Sequence, residues 1–493
     1  KQGVYTVEVC RDGTNWVLLE GRTLTIFPPL PPLQRFDVTQ YGATPNDETD
    51  DTGGIQQAII AAAAAGNGEV YLPPGNFISA PFVLTRGVSL AGAGLDQTRI
   101  TFQYPDAFVH DGWGSDNTKG LISACGYQII RDLEILDPLG EARDASKHTT
   151  SIGISLGEIG NPESPAADYL TITHCRILNA TQCVRLVWAP PARHLTLYEN
   201  VFQARQQGVL LGNVSGVVIR RNIFLPSPAA WTYPAELTGA RQVEVSENIA
   251  EGTVNGGWRN GFFWNLGGSV EQNLVYNNRT SHDGDKASGN GEAFAYDANG
   301  DRLRYLGPSL AATPDTIVLP AGWTDAAAVA GAWVRVVDGK GLGQSRRIVS
   351  ATAGGANRLQ LDVPWDVLPD GTSILAVTNL YWQVYTVDNT VDERRNGNKN
   401  AKAGVITPYG SSSDCVVDSN RQYNAEGIML FTCGKSTAFT ANYFTEVRGN
   451  RLEGRTAGPG AYGGIFLWYG AEERKPSHVL GYGTVITGNT ITD

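Results

Sequence analysis

The chain has 493 residues and a formal net charge of −11 at neutral pH, which argues against nucleic acid or an anionic membrane as its main partner. Glycine is frequent, at 58, and methionine nearly absent, at 1; with many short apolar runs this is the composition of a turn-rich β protein large enough for more than one domain. No apolar run is long enough for a membrane-spanning helix. The six cysteines, Cys10, Cys125, Cys175, Cys183, Cys415 and Cys433, show neither a disulfide framework nor metal-site spacing and read as small buried residues.

Residues 1–27 alternate apolar and polar positions and predict a small antiparallel β piece. Residues 28–34 are proline-rich and predict a stiff extended linker. The next stretch, Arg35 to Phe102, organises the chain. It opens with a short strand at Phe36-Asp37-Val38 and an acidic loop from Asn46 to Asp51. A helix over 52–65 follows, with Thr52 as N-cap and Gly66-Asn67-Gly68 as its stop. That helix is too short and alanine-rich to stand alone. Its expected role is to cover the open end of a strand stack. Phe36-Asp37-Val38, Tyr41-Gly42-Ala43, Asp50-Asp51-Thr52, Ile55-Gln56, Ala58, Val70-Tyr71-Leu72-Pro73 and Gly75 together resemble the opening segment of the pectate-lyase-like superfamily. The resemblance implies an all-β, right-handed parallel β-helix of three sheets. It also implies a polysaccharide-processing enzyme (hydrolase, lyase or epimerase) or a phage tailspike.

From about residue 121 short strands ending in Asn recur. Asn200, Asn222, Asn248 and Asn273 follow one another at 22 to 26 residues, with Cys175 in the equivalent place before them; Asn389, Asn420, Asn450 and Asn489 resume the series. One coil of three strands needs about this length. The asparagines are expected to sit left-handed at one corner and stack their amides. The helix is thus expected over 35–299 and 380–493, interrupted at 300–379 by an inserted β-subdomain. Gly339-Lys-Gly-Leu-Gly-Gln in the insertion lacks phosphate-loop order and predicts a hairpin turn. The sequence stops inside a repeat at Asp493, so either the natural chain continues or another surface covers that end.

The third strand of each coil usually opens with Gly, and loop length varies mainly around it, where function concentrates on a rigid scaffold. The densest carboxylates lie here, in His282-Asp283-Gly-Asp285 and Glu292 to Asp297, next to the insertion. Period two puts Asp297 on the outer face, in line with Asn265, Phe431 and Trp468, and turns the position of Phe294 inward. Glycoside hydrolysis needs two carboxyls, ~5–5.5 Å apart for retention or ~6.5–9.5 Å for inversion. Asp297, Asp283, Asp285 and Glu292 are therefore the candidate catalytic residues. His282, Trp258, Trp264, Tyr409, Trp468 and Arg259 are candidates for binding sugar.

A uronate lyase or epimerase would instead use loop cations such as Arg259, Lys286 or Arg394, and a lyase would add calcium; a hydrolase needs no cofactor. The sequence has no Asn-Thr-Asp, Gly-His-Gly or Arg-Ile-Lys of the polygalacturonase type and no Arg-x-Pro-x-x-Arg of calcium pectate lyases. Catalytic residues therefore do not carry over from the resemblance. The expectation is a secreted or periplasmic glycosidase with a carbohydrate partner. A lyase or epimerase, and a non-catalytic glycan-binding protein, are the alternatives. Oligomeric state, sugar and linkage are left open.

Overall fold

The computed structural model describes residues 3–10, 16–26, 33–104, 110–111, 120–138, 149–157, 167–186, 191–226, 233–252, 261–281, 292–297, 303–320, 329–352, 357–394, 404–434, 439–454, 464–469 and 481–492. Gly3–Cys10 and Trp16–Ile26 pair antiparallel as a two-stranded sheet. From Gln34 the chain winds into a right-handed parallel β-helix, each strand pairing in parallel with its counterpart one coil on. No helix among the described residues is long and apolar enough to cross a membrane.

The single α-helix described, α1 (Thr52–Ala64), closes the first coil, with Ile55, Ala58, Ile59 and Ala62 buried against Phe36, Val38 and Val70. Its N-cap is Asp51, one residue before the expected Thr52. The Asp51 carboxylate is occupied elsewhere, accepting from the Thr44 and Ile78 backbone N–H groups at 2.7 and 2.9 Å. Thr52 Oγ1 accepts from the Ala80 N–H at 2.7 Å. The helix is thus pinned to the coil edge by polar contacts at its start and by apolar burial along its length. Gly54 lets it approach: a Cβ there would stand 2.4 Å from the Ala43 nitrogen.

An asparagine ladder, buried at Asn200, Asn222, Asn248, Asn278, Asn389, Asn420 and Asn450, ends at the half-buried Asn489. Asn248 is typical. Its Oδ1 accepts from the Asn222 N–H at 2.9 Å, and its Nδ2 donates to Ile219 O at 2.8 Å and to Asn278 Oδ1 at 2.9 Å. Cys175 starts the series, donating its N–H to Asn200 Oδ1 at 2.9 Å.

Two expectations are corrected here. The rung between Asn248 and Asn389 is Asn278, while Asn273 sits one short strand earlier and bonds to Val243 and Ala240. The left-handed residue is the one before each rung, with φ of 53° at Glu199, 54° at Arg221, 54° at Glu247 and 52° at Asn277. That residue turns the chain outward, which leaves the next side chain inside the bend to saturate the corner's backbone groups.

The insertion forms a seven-stranded sheet with its own core, including Ile317, Val334, Val336, Ile348, Leu359, Leu375 and Val377. The glycine-rich segment is the turn between the antiparallel strands Trp333–Asp338 and Ser345–Thr352. The subdomain docks on the helix through Arg335, which is fully buried. Its guanidinium donates to Ala441 O and Ser412 O, both at 3.0 Å, and lies 4.2 Å above the Tyr443 ring. Trp333 Nε1 donates to Glu271 Oε1 at 3.0 Å.

Because Asn248 loses buried hydrogen bonds on both neighbouring coils, Asn248→Ala is expected to cost about 3 kcal/mol. Asn489→Ala, at the exposed end, is expected to cost under about 1 kcal/mol. Urea denaturation of the two variants checks this, and equal losses would deny the ladder its role.

Candidate functional site

The third sheet stacks, in order, Phe82–Leu84, Gly120–Ala124, Ile152–Leu156, Gln182–Leu186, Gln207–Gly212, Tyr233–Thr238, Phe262–Asn265, Glu292–Asp297, Val405–Tyr409, Ile428–Gly434 and Ile465–Tyr469. Its inner face is set by alternation. Val184, Val209, Ala235, Phe262, Phe294, Ile406 and Ile428 occupy one inward column and are buried in the core. Leu186, Leu211, Leu237, Trp264, Tyr296 and Leu430, two residues on, form the next. The residues between them face out: Arg185, Leu210, Glu236, Phe263, Ala295 and Thr407 share one outer column, and Thr238, Asn265, Asp297 and Tyr409 share the next. Arg185, Phe263, Ala295 and Thr407 are nonetheless buried.

Asp297 stands where period two puts it, half-buried and in register between Asn265 and Tyr409. The Tyr409 ring packs on Phe431 with centroids 4.0 Å apart. Glu292 is half-buried at the start of the same strand, ahead of a register shift between Glu292 and Phe294. Trp264 is corrected: it is fully buried, stacked on Tyr296 at 5.0 Å inside the prism, and cannot meet a sugar. Arg394 is held by Asp392 at 2.5 Å and lies over Tyr423, away from the third sheet. Trp258, Arg259, His282, Asp283, Asp285 and Lys286 lie outside the described residues, as does the Trp468 side chain, whose backbone pairs with Phe431.

The residue that sequence reasoning missed is Glu236. It stands in the outer column between Leu210 and Phe263, and burial pushes its carboxyl above the usual carboxylate value, opposed by a hydrogen bond from Gln207 Nε2 to its Oε2 at 3.0 Å. Tyr233, at the start of the same strand, meets Phe263 edge to face at 5.8 Å. Gln182 Oε1, Asn265 Oδ1 and Thr407 Oγ1 on this face are buried and take no hydrogen bond among the described residues. Such orphaned acceptors are costly in a folded chain, and hydroxyl donors of a ligand would satisfy them. Among the described residues no group of three or more His, Cys, Asp or Glu is placed to hold a metal.

The fold defines the class: a right-handed parallel β-helix. Residues 35–129 match the family model described as Rhamnogalacturonase A/epimerase, pectate lyase-like. Over 142 residues the chain is 30% identical to alginate lyase 7 of Azotobacter vinelandii, covering 27% of this chain and 15% of that protein. Over 101 residues it is 35% identical to mannuronan C5-epimerase AlgE2 of the same organism, covering 19% of this chain and 9% of that protein. The chain therefore spans only a small part of the curated relatives it matches. Among solved structures, the A-module of the Azotobacter vinelandii mannuronan C-5 epimerase AlgE6 aligns with a TM-score of 0.45 at 14% identity, covering 93% of this chain and 99% of that one. An exopolygalacturonase from Thermotoga maritima aligns with a TM-score of 0.45 at 8% identity, covering 94% of each chain.

The raised Glu236 carboxyl yields a prediction independent of any activity. An acid that binds its proton more tightly when folded stabilises the fold at low pH and loses that contribution as pH rises through its native pKa. Glu236→Gln is therefore expected to match the wild type below about pH 4.5, the ordinary value for this group, and to become the more stable of the two as pH rises above it. Denaturation midpoints across pH 3–8 read this directly, and a pH-independent difference between the proteins would contradict it.

Proposed function

We propose that this protein is a carbohydrate-active enzyme that hydrolyses glycosidic bonds of a polysaccharide or oligosaccharide lying along the outer face of the third sheet. Glu236 is the proton donor and Asp297 the carboxylate that activates water. The observation that carries this reading is a desolvated carboxyl, its pKa raised by burial, on the same outer face as a second carboxyl. Glu236 lies level with Phe263 and Ala295, and Asp297 stands two residues beyond Ala295. Their backbones are therefore roughly 9.6 Å apart across the strands and about 6.8 Å along them. Carboxyls leaning toward each other over that span favour the wider, inverting arrangement, with room for a water, over the ~5–5.5 Å of retention.

In the reaction the Glu236 proton passes to the glycosidic oxygen as its bond to the anomeric carbon breaks. Water attacks that carbon from the opposite side and gives its proton to Asp297. Tyr233 and Tyr409, half-buried on this sheet, supply ring surface. We place Glu292 as a supporting acid. We expect an extracytoplasmic location, where a polymer substrate is met, and no cofactor.

A lyase or epimerase on a uronic-acid polymer is the second reading. It is favoured by the names of the curated relatives and by Arg185 in the outer column, where a uronate carboxylate would find a cation. Calcium would then join the site.

Incubation with a panel of neutral and uronic polysaccharides separates the readings. Hydrolysis gives new reducing ends without ultraviolet absorbance, and NMR is expected to show an inverted product anomer. A lyase gives an absorbing unsaturated end, and an epimerase changes the polymer's sugar signals with no new ends. Glu236→Gln and Asp297→Asn are each expected to lower kcat by at least about 10²-fold with the fold retained. Near-full turnover by either variant would overturn these roles.

A further inference from the structure

We propose that Gln182 and Gln207 form a positioning relay that fixes how Glu236 is presented to the substrate; this rests on the proton-donor role given to Glu236 above. Gln182 and Gln207 are register partners at the starts of successive strands of the third sheet, and Tyr233, three residues before Glu236, is the next partner. Both glutamines are buried, with 5% and 1% of their surface exposed. A buried side-chain amide costs free energy unless its geometry is specified. Here it is specified in one direction. Gln182 Nε2 donates to Gln207 Oε1 at 2.7 Å, and Gln207 Nε2 donates to Glu236 Oε2 at 3.0 Å.

An isolated glutamine can flip, offering either its oxygen or its nitrogen to a neighbour. In this arrangement Gln182 occupies the Gln207 oxygen, and the N–H end faces Glu236. With Oε2 held by a donor, the proton of the neutral acid sits on Oε1, the oxygen left to meet a leaving group. Once that proton has been transferred, the same N–H stabilises the carboxylate that remains. The relay thereby opposes the burial of Glu236 and keeps the proton transferable. Among the described residues, the other titratable or charged side chains on or beside the packed strands are Cys183 and Arg185 on the strand of Gln182, Arg205 just ahead of Gln207, Tyr233 on the strand of Glu236, and Glu292, Tyr296 and Asp297 beyond Phe262–Asn265. The intervening strand Phe262–Asn265 contributes none.

The test is a titration of Glu236 followed by carboxyl ¹³C NMR in glutamate-labelled full-length protein, with Glu236→Gln to assign the signal. Removing the donor favours the protonated acid, so in Gln207→Leu the Glu236 signal is expected to titrate at higher pH than in the wild type. Gln182→Leu, which only frees the Gln207 amide to turn, is expected to move it the same way by less, and it serves should Gln207→Leu not fold. On the active substrate, Gln207→Leu is expected to lower kcat about tenfold with KM within twofold, and to carry the alkaline limb of the kcat profile to higher pH. An unchanged Glu236 titration in both variants overturns the relay, whatever happens to activity. A shifted titration in a protein that cleaves no glycoside upholds the relay and overturns the hydrolase reading instead.

Discussion

The stacking of asparagine amides at one corner is the constraint on which the rest of this molecule depends. Each rung receives the backbone N–H of the coil before and gives its own amide protons to that coil's carbonyl and to the next rung. A parallel strand pair slips by two residues without changing which face is buried. The buried amide removes that freedom, because only one residue per coil lies inside the bend behind a left-handed neighbour. With the corner fixed, the register of the third sheet follows, and with it which side chains look into the core and which look out. The outer columns containing Glu236 and Asp297 are consequences of a polar contact on the opposite side of the coil.

That dependence explains what was legible from the sequence. Strands ending in Asn at near-constant spacing disclosed the coil, and the helix at its mouth was visible from its alanine run. The slip from Asn278 to Asn273 has a local cause. Both follow a short β run in the same coil, and only the contacts tell which asparagine fills the bend. Trp264 was misjudged although the means to place it were present. It pairs with Tyr296, and the alternation that turns Phe294 inward turns Tyr296 and Trp264 inward as well. Glu236 was missed for another reason. Its sequence neighbours carry no second acid, so density of charge passed over it. Its environment comes from residues 29 positions away, where Gln207 supplies the donor. Period two counted back from the buried Leu237 would have put it on the outer face, but desolvation is a property of the assembled coils.

The placement of the insertion bears on how a site on this sheet holds its shape. A second sheet with its own core lies in the chain between Asp297 and Leu380, its strands running from Tyr305–Pro308 to Ile374–Thr378, and the returning chain meets the end of the strand that carries the candidate carboxylate. Such an arrangement would loosen the strand end if the two ends were free to splay. Here they are closed. The Tyr381 hydroxyl lies 2.8 Å from Trp264 O and 2.6 Å from Asp297 O, joining the return of the chain to two neighbouring strands of the third sheet. Asn379 Nδ2 donates to Leu266 O at 3.0 Å, one turn of the coil away.

Loop-closure entropy grows only slowly with the length inserted, so the size of the subdomain matters little once its ends are clamped. What matters is that Arg335 commits its guanidinium to two carbonyls of the helix, in a position where breaking the contact would strand a buried charge. The insertion is thereby held as part of the scaffold, and the strand ending at Asp297 is gripped from both sides. Its backbone is fixed by Tyr381 at one end and by parallel pairing along its length, so the position of Asp297 on the outer face is set by the scaffold.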